Sequence, residues 1–309
     1  MNKFITKTVF FLSPLIVILL SIELFYRIVP NNYLVKSQNI QERYDDIEVL
    51  VLGNSHTFYG LNPLFFDKPS FNMSNISQTL YFDKLLFEKH FKNLKKLKYV
   101  ILNVEYTVLS QLDNTSEDTW RKYYYEYYMD LQVPIISKLD PKRCLISSIR
   151  NFSSNLKLVK RYISEKTIVD CDENGFGLNY TKENRIPNIK EAAPFTIVKH
   201  EDNLQDFTKN ICRIQSIIDK CNTRGIRVII VNMPVSSFYA DGLNQKKLNM
   251  IFDACKLLEK NNSNVQYLNL FKDPRFTADD FYDPDHLHTE GAKKCSLIMN
   301  QFIMNFINH

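Results

Sequence analysis

Glu48-Val49-Leu50-Val51-Leu52-Gly53-Asn54-Ser55-His56 decides the fold reading. Four apolar residues stand in a row without polar alternation, the pattern of a strand buried on both faces of a parallel sheet. Glycine, a short polar turn and a serine follow at once. Further short apolar runs lie downstream: Ser70–Met73, Lys98–Leu102, Arg227–Val231 and Val265–Leu270. Between them fall helical patterns, from about Gln78 to Leu94, through Ile211, Ile214, Ile217 and Ile218, and from about Thr289 to Ile307. Alternation of this kind predicts an α/β protein, a three-layer α/β/α sandwich on a mostly parallel, flavodoxin-like sheet of five strands.

Upstream, Thr8 to Tyr26 contains one charge, Glu23, in roughly 19 residues. As a helix it spans about 28 Å, the thickness of a bilayer core. Pro14 is tolerable there. The expectation is an uncleaved transmembrane anchor over residues 1–29, because no small-residue cleavage site follows the apolar run and no early cysteine suits a lipoprotein. A polar tether over 30–46 and a catalytic domain over 47–309 complete the expected division. Lys3 and Lys7 favour a cytoplasmic amino terminus, against Arg27, Lys36 and Arg43 beyond the span. The globular part is therefore expected outside the cytoplasm.

The stretch from about 110 to 200 breaks the strand–helix rhythm. It holds Trp120, the run Tyr123-Tyr124-Tyr125-Glu126-Tyr127-Tyr128 and a Gly175-Phe176-Gly177 turn. It reads as an inserted cap, whose tyrosines pack a helix or present ring faces to sugar.

Composition excludes several chemistries. Seven glycines in 309 residues supply neither a dinucleotide fingerprint nor a phosphate-cradling loop. The six cysteines form no Cys-x-x-Cys pair, which removes zinc ribbons and thioredoxin-like sites. Cys212, Cys255 and Cys295 fall in helical contexts that suit buried free thiols. A net charge of +5 is too mild to argue for nucleic acid.

In an open parallel sheet, ligands bind beyond the carboxyl ends of the strands. Asn54, Ser55 and His56 follow the first strand; Asn72, Ser74 and Asn75 the second; Asn103 and Glu105 the third; Asn232, Ser236 and Ser237 the fourth. Beyond the fifth lies Asp283-Pro284-Asp285-His286-Leu287-His288. A serine needs an imidazole to take its proton, and the imidazole needs a carboxylate to fix its tautomer. Ser55, His286 and Asp283 supply those groups on one sheet edge, with Asp285 a competing carboxylate. His56 reads as a loop or packing residue, and His288 as structural. Asp283, Asp285, His286 and His288 could also be drawn as a metal cluster, but no second cluster supports it, and no metal or diffusible cofactor is expected.

These blocks resemble the SGNH (GDSL-like) hydrolase superfamily. Val51 to His56 is similar to its first block, and Asp283 to Gly291 to its last, a match running over about residues 45–305. The resemblance implies Ser55 as nucleophile, His286 as base and Asp283 as third member. Overall the chain looks most like membrane-anchored bacterial members linked to cell-surface glycan acylation, including relatives of the alginate acetylation proteins and DltD. In the middle blocks Ser74 stands where the family has glycine, and Glu105 where it has asparagine. Oxyanion candidates are Ser55, Ser74, Asn72 and Asn103, with Asn232 a further possible substitute. The implied activity is a serine esterase or O-acyltransferase acting on acylated surface polysaccharide, held to the membrane by its amino-terminal helix and working beside a membrane acyltransferase partner. The alternative is a catalytically silent SGNH-like binding or assembly module, motivated by Glu105 and Ser74.

Overall fold

The computed structural model describes residues 2–113 and 119–305. In chain order its main elements are α1 (Asn2–Ile28), α2 (Asn32–Glu42), β1 (Val49–Leu52), α3 (Ser55–Gly60), β2 (Ser70–Asn72), α4 (Leu80–His90), β3 (Tyr99–Asn103), α5 (Arg121–Tyr128), α6 (Phe152–Glu165), α7 (Ile189–His200), α8 (Thr208–Asn222), β4 (Arg227–Asn232), α9 (Ser237–Ala240), α10 (Gln245–Asn261), β5 (Val265–Asn269) and α11 (Thr289–Asn305). The final helix is followed to Asn305; its expected end at Ile307 lies outside the described residues. The chain divides into two compact units, Met1–Ser37 with Trp120–Asp170, and Gln38–Thr119 with Cys171–His309.

In the larger unit all five strands run parallel in the order β2-β1-β3-β4-β5. Stepping from β1 to β2 goes one way along the sheet, and every later step goes the other. Right-handed crossovers therefore send α3 to one face and α4, α8 and α10 to the opposite one. α11 joins α3, while α4 packs on α8. Side chains alternate between the faces along each strand. Val49, Val51, Ile101, Ile229 and Val231 meet Cys295, Met299 and Ile303 of α11. Leu50, Leu52, Val100, Leu102, Val228 and Ile230 are equally buried and turn to the other face. Helices cover both sides, so the strands are apolar at every position, as the sequence pattern requires. Truncating a residue such as Ile229 to alanine would cost about 2–5 kcal/mol in a core this closed.

Helix α4 is shorter than its apolar pattern suggests. Ser77, before it, adopts a left-handed φ of 55°, and the Arg224 guanidinium binds the carbonyls of Phe91 and Leu94, at 2.6 Å each, where the chain leaves the helix.

The smaller unit is built on α1. Its stretch Lys3–Ile28 is long and apolar enough to cross a membrane. From Ile22 onward α1 becomes packed. Tyr26 donates to Asn155 Oδ1 (2.8 Å), Tyr128 donates to the Tyr26 carbonyl (2.7 Å), and Glu23 accepts the Ser147 N–H (2.9 Å). Tyr124 sets its ring edge-on to those of Tyr26, Tyr33, Trp120 and Tyr128. The tyrosine run is thus packing material. Of the expected insertion, residues 110–113 and 171–200 group with the sheet, and Trp120–Asp170 groups with the amino-terminal helix. The segment read as a tether contains α2, in which Tyr33, Lys36 and Ile40 are buried. Among the described residues no disulfide joins any of the six cysteines; Cys212, expected to be buried, is exposed on α8, as is Cys144 elsewhere.

Candidate active site

Beyond β1 the chain reverses at Gly53, whose φ is +142°. A Cβ there would lie 2.5 Å from Thr57 Oγ1 and 2.6 Å from Asn103 Cβ, so only glycine fits this turn. Asn54 then caps α3, its Oδ1 accepting the His56 N–H at 3.0 Å. The same oxygen accepts from Asn103 Nδ2 (2.8 Å), and Asn54 Nδ2 donates to Glu105 Oε1 (2.7 Å). Glu105 also accepts from Thr107 Oγ1 (2.7 Å) and the Thr107 N–H (3.0 Å). This buried network fixes Ser55 at the first position of α3. Both Glu105 oxygens are occupied by donors, and the carboxylate holds Asn54.

At the other end, Phe281 and Leu287 pair as a bridge, and the Tyr282 N–H donates to the His286 carbonyl (2.8 Å). Inside this turn Asp283 Oδ1 accepts the N–H groups of Asp285 (3.1 Å) and His286 (2.8 Å). The turn brings the side chains together as well. His286 Nδ1 lies 3.0 Å from both Asp283 oxygens, and His286 Nε2 lies 2.8 Å from Ser55 Oγ. Residues 231 positions apart thus form one hydrogen-bonded chain, carboxylate to imidazole to hydroxyl. His288 takes a separate task. Its Nδ1 accepts the N–H groups of Glu290 and Gly291, and its Nε2 meets the Asp279 carbonyl, anchoring the start of α11.

Asp285, fully buried, is the centre of a second set. Its oxygens lie 3.5 Å from His286 Nδ1, 3.3 Å from His56 Nε2 and 3.8 Å from His200 Nδ1. Burial alone would favour its acid form, but the charge and hydrogen bonds of His286, with His56 and His200, hold it well below the carboxylate range. Burial likewise opposes protonation of His286, and the Asp283 and Asp285 charges outweigh it, raising its pKa well above 6.5. The His56 ring lies 4.6 Å from that of His286. Ligand atoms of His56, Asp285 and His286 come close enough to hold a metal ion. Two imidazoles and a carboxylate suit zinc, but His286 already holds Ser55 and Asp283 with its two nitrogens, so metal binding and the hydrogen-bonded chain compete for the same ring.

Of the four oxyanion candidates, Ser74 gives its N–H to Asn72 Oδ1 (3.0 Å), and its Oγ accepts from Thr57 Oγ1 (2.8 Å). Asn72 Nδ2 donates to the Thr57 and Leu61 carbonyls (2.8 Å each), and its Oδ1 accepts the Ser74 N–H (3.0 Å). Asn103 Nδ2 is engaged by Asn54. Asn232 binds the Val104 carbonyl and Tyr267. Ser55 keeps a backbone N–H at the first turn of α3, where N–H groups lack helical partners. Asn75 holds a buried Nδ2 with no hydrogen-bond partner among the described residues, and its own N–H reaches the Gly53 carbonyl (3.3 Å).

Ser55 and His286 open onto a cavity of about 640 Å³, also lined by Ile76, Ser77, Glu105, Thr107, Ser110, Gln111, Leu112, Tyr180, Lys199, His200, Asp202 and Leu204. Polar side chains outnumber aliphatic ones. Lys247 of α10, wholly buried, bonds Asp202 Oδ1 and lies over the Tyr106 ring, fixing the cavity wall after α7. Tyr59, Tyr180 and Tyr282 stack with centroids 3.7 and 3.8 Å apart, and Tyr180 stands edge-on to His286 at 5.4 Å. Sequence reasoning missed this stack. Tyr282 adjoins Asp283 and Tyr59 lies one turn after Ser55, but Tyr180 sits in the irregular insertion, where no pattern marks it.

No curated protein matches the chain. A protein-family model matches residues 196–308, well under half of it. Among solved structures, a "putative acylhydrolase" from Bacteroides fragilis NCTC 9343 is similar, at 12% identity and a TM-score of 0.41, covering 88% of this chain and 95% of that one. A GDSL-like lipase from Bacteroides thetaiotaomicron VPI-5482 is similar at 11% identity and a TM-score of 0.40, covering 88% and 99%. Likeness at that distance says nothing of chemistry.

Proposed function

We propose that this chain is a membrane-anchored serine esterase or O-acyltransferase acting on acyl groups of surface polysaccharide. The observation that carries the reading is the 2.8 Å contact between Ser55 Oγ and His286 Nε2, with Asp283 3.0 Å behind the ring. Ser55 Oγ attacks the ester carbonyl carbon while His286 Nε2 takes its proton. Nδ1–H stays on Asp283, which fixes the tautomer and stabilises the imidazolium. The oxyanion receives hydrogen bonds from the Ser55 N–H and Asn75 Nδ2. Collapse expels the alcohol, protonated by His286, and leaves the acyl group on Ser55. Water or a sugar hydroxyl, deprotonated by His286, then removes it.

The many hydrogen-bonding side chains that line the cavity suit a hydroxyl-rich substrate. Anchoring through α1, with the sheet unit outside the cytoplasm and a membrane acyltransferase as partner, fits an enzyme meeting its glycan at the cell surface. Acetyl content of the surface glycan tests the reading: strains carrying Ser55→Ala or His286→Ala should both differ from the parent in the same direction. Unchanged acylation in both strains would favour the silent binding module instead.

A further inference from the structure

Helix α6 carries a feature that neither the fold nor the active site uses. Phe152, Leu156 and Ile163 are 49%, 38% and 63% exposed, and Val159 is half-buried. At 100° per residue these four fall within about 60° of one another, a continuous apolar stripe. Lys157 and Lys160, both exposed, flank it on one side. Asn155, Leu158 and Tyr162 turn inward on the other.

The way α6 meets α1 sets its direction. Asn155 and Tyr162 are about 10 Å apart along α6. Yet Asn155 bonds Tyr26 (2.8 Å) and Tyr162 stands edge-on to Phe25 (5.6 Å), adjacent residues of α1. Helix α6 therefore crosses α1 instead of running beside it. The depth of the crossing follows from α1 itself. Residues 3–20 are almost all exposed and packing starts at Ile22, so the bare part is about 27 Å long, one hydrocarbon core. Phe25 lies about 6 Å beyond it. The segment before α6 sits at the same level: the Cys144 carbonyl accepts from Arg27 (3.0 Å) and the Ser147 N–H donates to Glu23 (2.9 Å), and between them Leu145 is 51% exposed.

We infer that α6 lies in the plane of the bilayer surface, its Phe152–Leu156–Val159–Ile163 stripe among the outermost acyl carbons and Lys157 and Lys160 against anionic headgroups. The inference rests on α1 being a membrane anchor. An apolar stripe bordered by lysines, within 5–10 Å of the hydrocarbon edge, is the composition of an interfacial helix. Lysine stems lie along the apolar surface while the ammonium groups stay at the headgroups. The bilayer thus holds the unit at two points, which fixes its tilt as well as its tether.

The full-length chain in phosphatidylcholine vesicles containing phosphatidylglycerol tests this. The two exposed thiols are removed as Cys144→Ser and Cys212→Ser, the other four being buried. Single cysteines introduced as Ile16→Cys, Lys157→Cys and Ile163→Cys then carry an environment-sensitive fluorophore. The label at 163 should shift to the blue and be quenched by nitroxides near the top of the acyl chain. The label at 157 should respond to a headgroup nitroxide, and the label at 16 to a deep one. Water-like, unquenched emission at 163 with quenching at 16 would overturn the inference and leave the anchor standing. Loss of quenching at both would remove the anchor, and the inference with it. A blue shift at 163 without lipid quenching would mean that a second copy covers the stripe, and would equally overturn it.

Discussion

Asp285 Oδ1 stands 3.5 Å from His286 Nδ1, the nitrogen that Asp283 holds at 3.0 Å. One imidazole thus has two carboxylates behind it, the nearer on the turn and the farther wholly buried. A lone carboxylate in this position is worth about 10⁴ in kcat. Here Asp283→Asn is expected to cost about 10², because Asp285 still favours the Nδ1–H tautomer, and the double variant with Asp285→Asn should restore the full loss of about 10⁴. Steady-state kinetics on a chromogenic acetyl ester check this. A full loss in Asp283→Asn alone would mean that Asp285 gives no support.

The same two charges set the pH response. They raise the His286 pKa well above 6.5 in spite of burial, and attack requires the neutral ring. The value of kcat/KM should therefore fall as pH drops through a midpoint above 6.5. Asp285→Asn removes one negative neighbour and should move that midpoint towards acid. A midpoint that stays put would show that Asp285 does not feel the ring's charge.

Asn75 is the untitrated counterpart. A buried amide donor without a partner is costly in a resting protein, and this one follows the strand that pairs with β1. Asn75→Ala should lower kcat by about 10²–10³ with KM little changed, the usual loss for one oxyanion donor. Asn72→Ala should instead lower Tm, since it strips two carbonyls of their donor. Reversal of those two signatures would exchange the roles.

Asp83 concerns stability. It is fully buried, accepts from Gln78 Nε2 (2.6 Å) and the Gly53 N–H, and burial pushes it up to about 7 despite those bonds. Its unfolded value is 3.8. Its contribution is fully present below pH 3.8 and is lost as pH rises through about 7, a penalty on the order of 4 kcal/mol when complete. Asp83→Asn keeps an acceptor for Gly53 and should raise Tm at pH 8 far more than at pH 4. Equal gains at both would contradict a carboxyl held neutral.

Much of this was legible in the chain because the features are local. β1, β3 and β4 read as buried strands since both faces are covered, and the Asp283–His286 turn closes within four residues. The companion of Asp283, its contact with Ser55, depends only on the rule that strand ends converge. Tyr180 and His200 carry no such mark, for their roles arise from packing across the fold; Asn75 is marked by its place after the second strand but not as a donor. Glu105 was legible as a residue but not in its role: aligned by its strand it faces the oxyanion, whereas Asn54 and Thr107 occupy both its oxygens. The tyrosine run betrayed aromatic packing but not its destination, because nothing in sequence ties Tyr124 to Tyr26.

Fluorophosphonate labelling followed by mass spectrometry of the adduct is the most direct measurement. One modification on Ser55 in the native chain, absent after unfolding and after His286→Ala, is the expected result. An unlabelled native chain, or a label on any other serine, would contradict a hydroxyl activated by that imidazole.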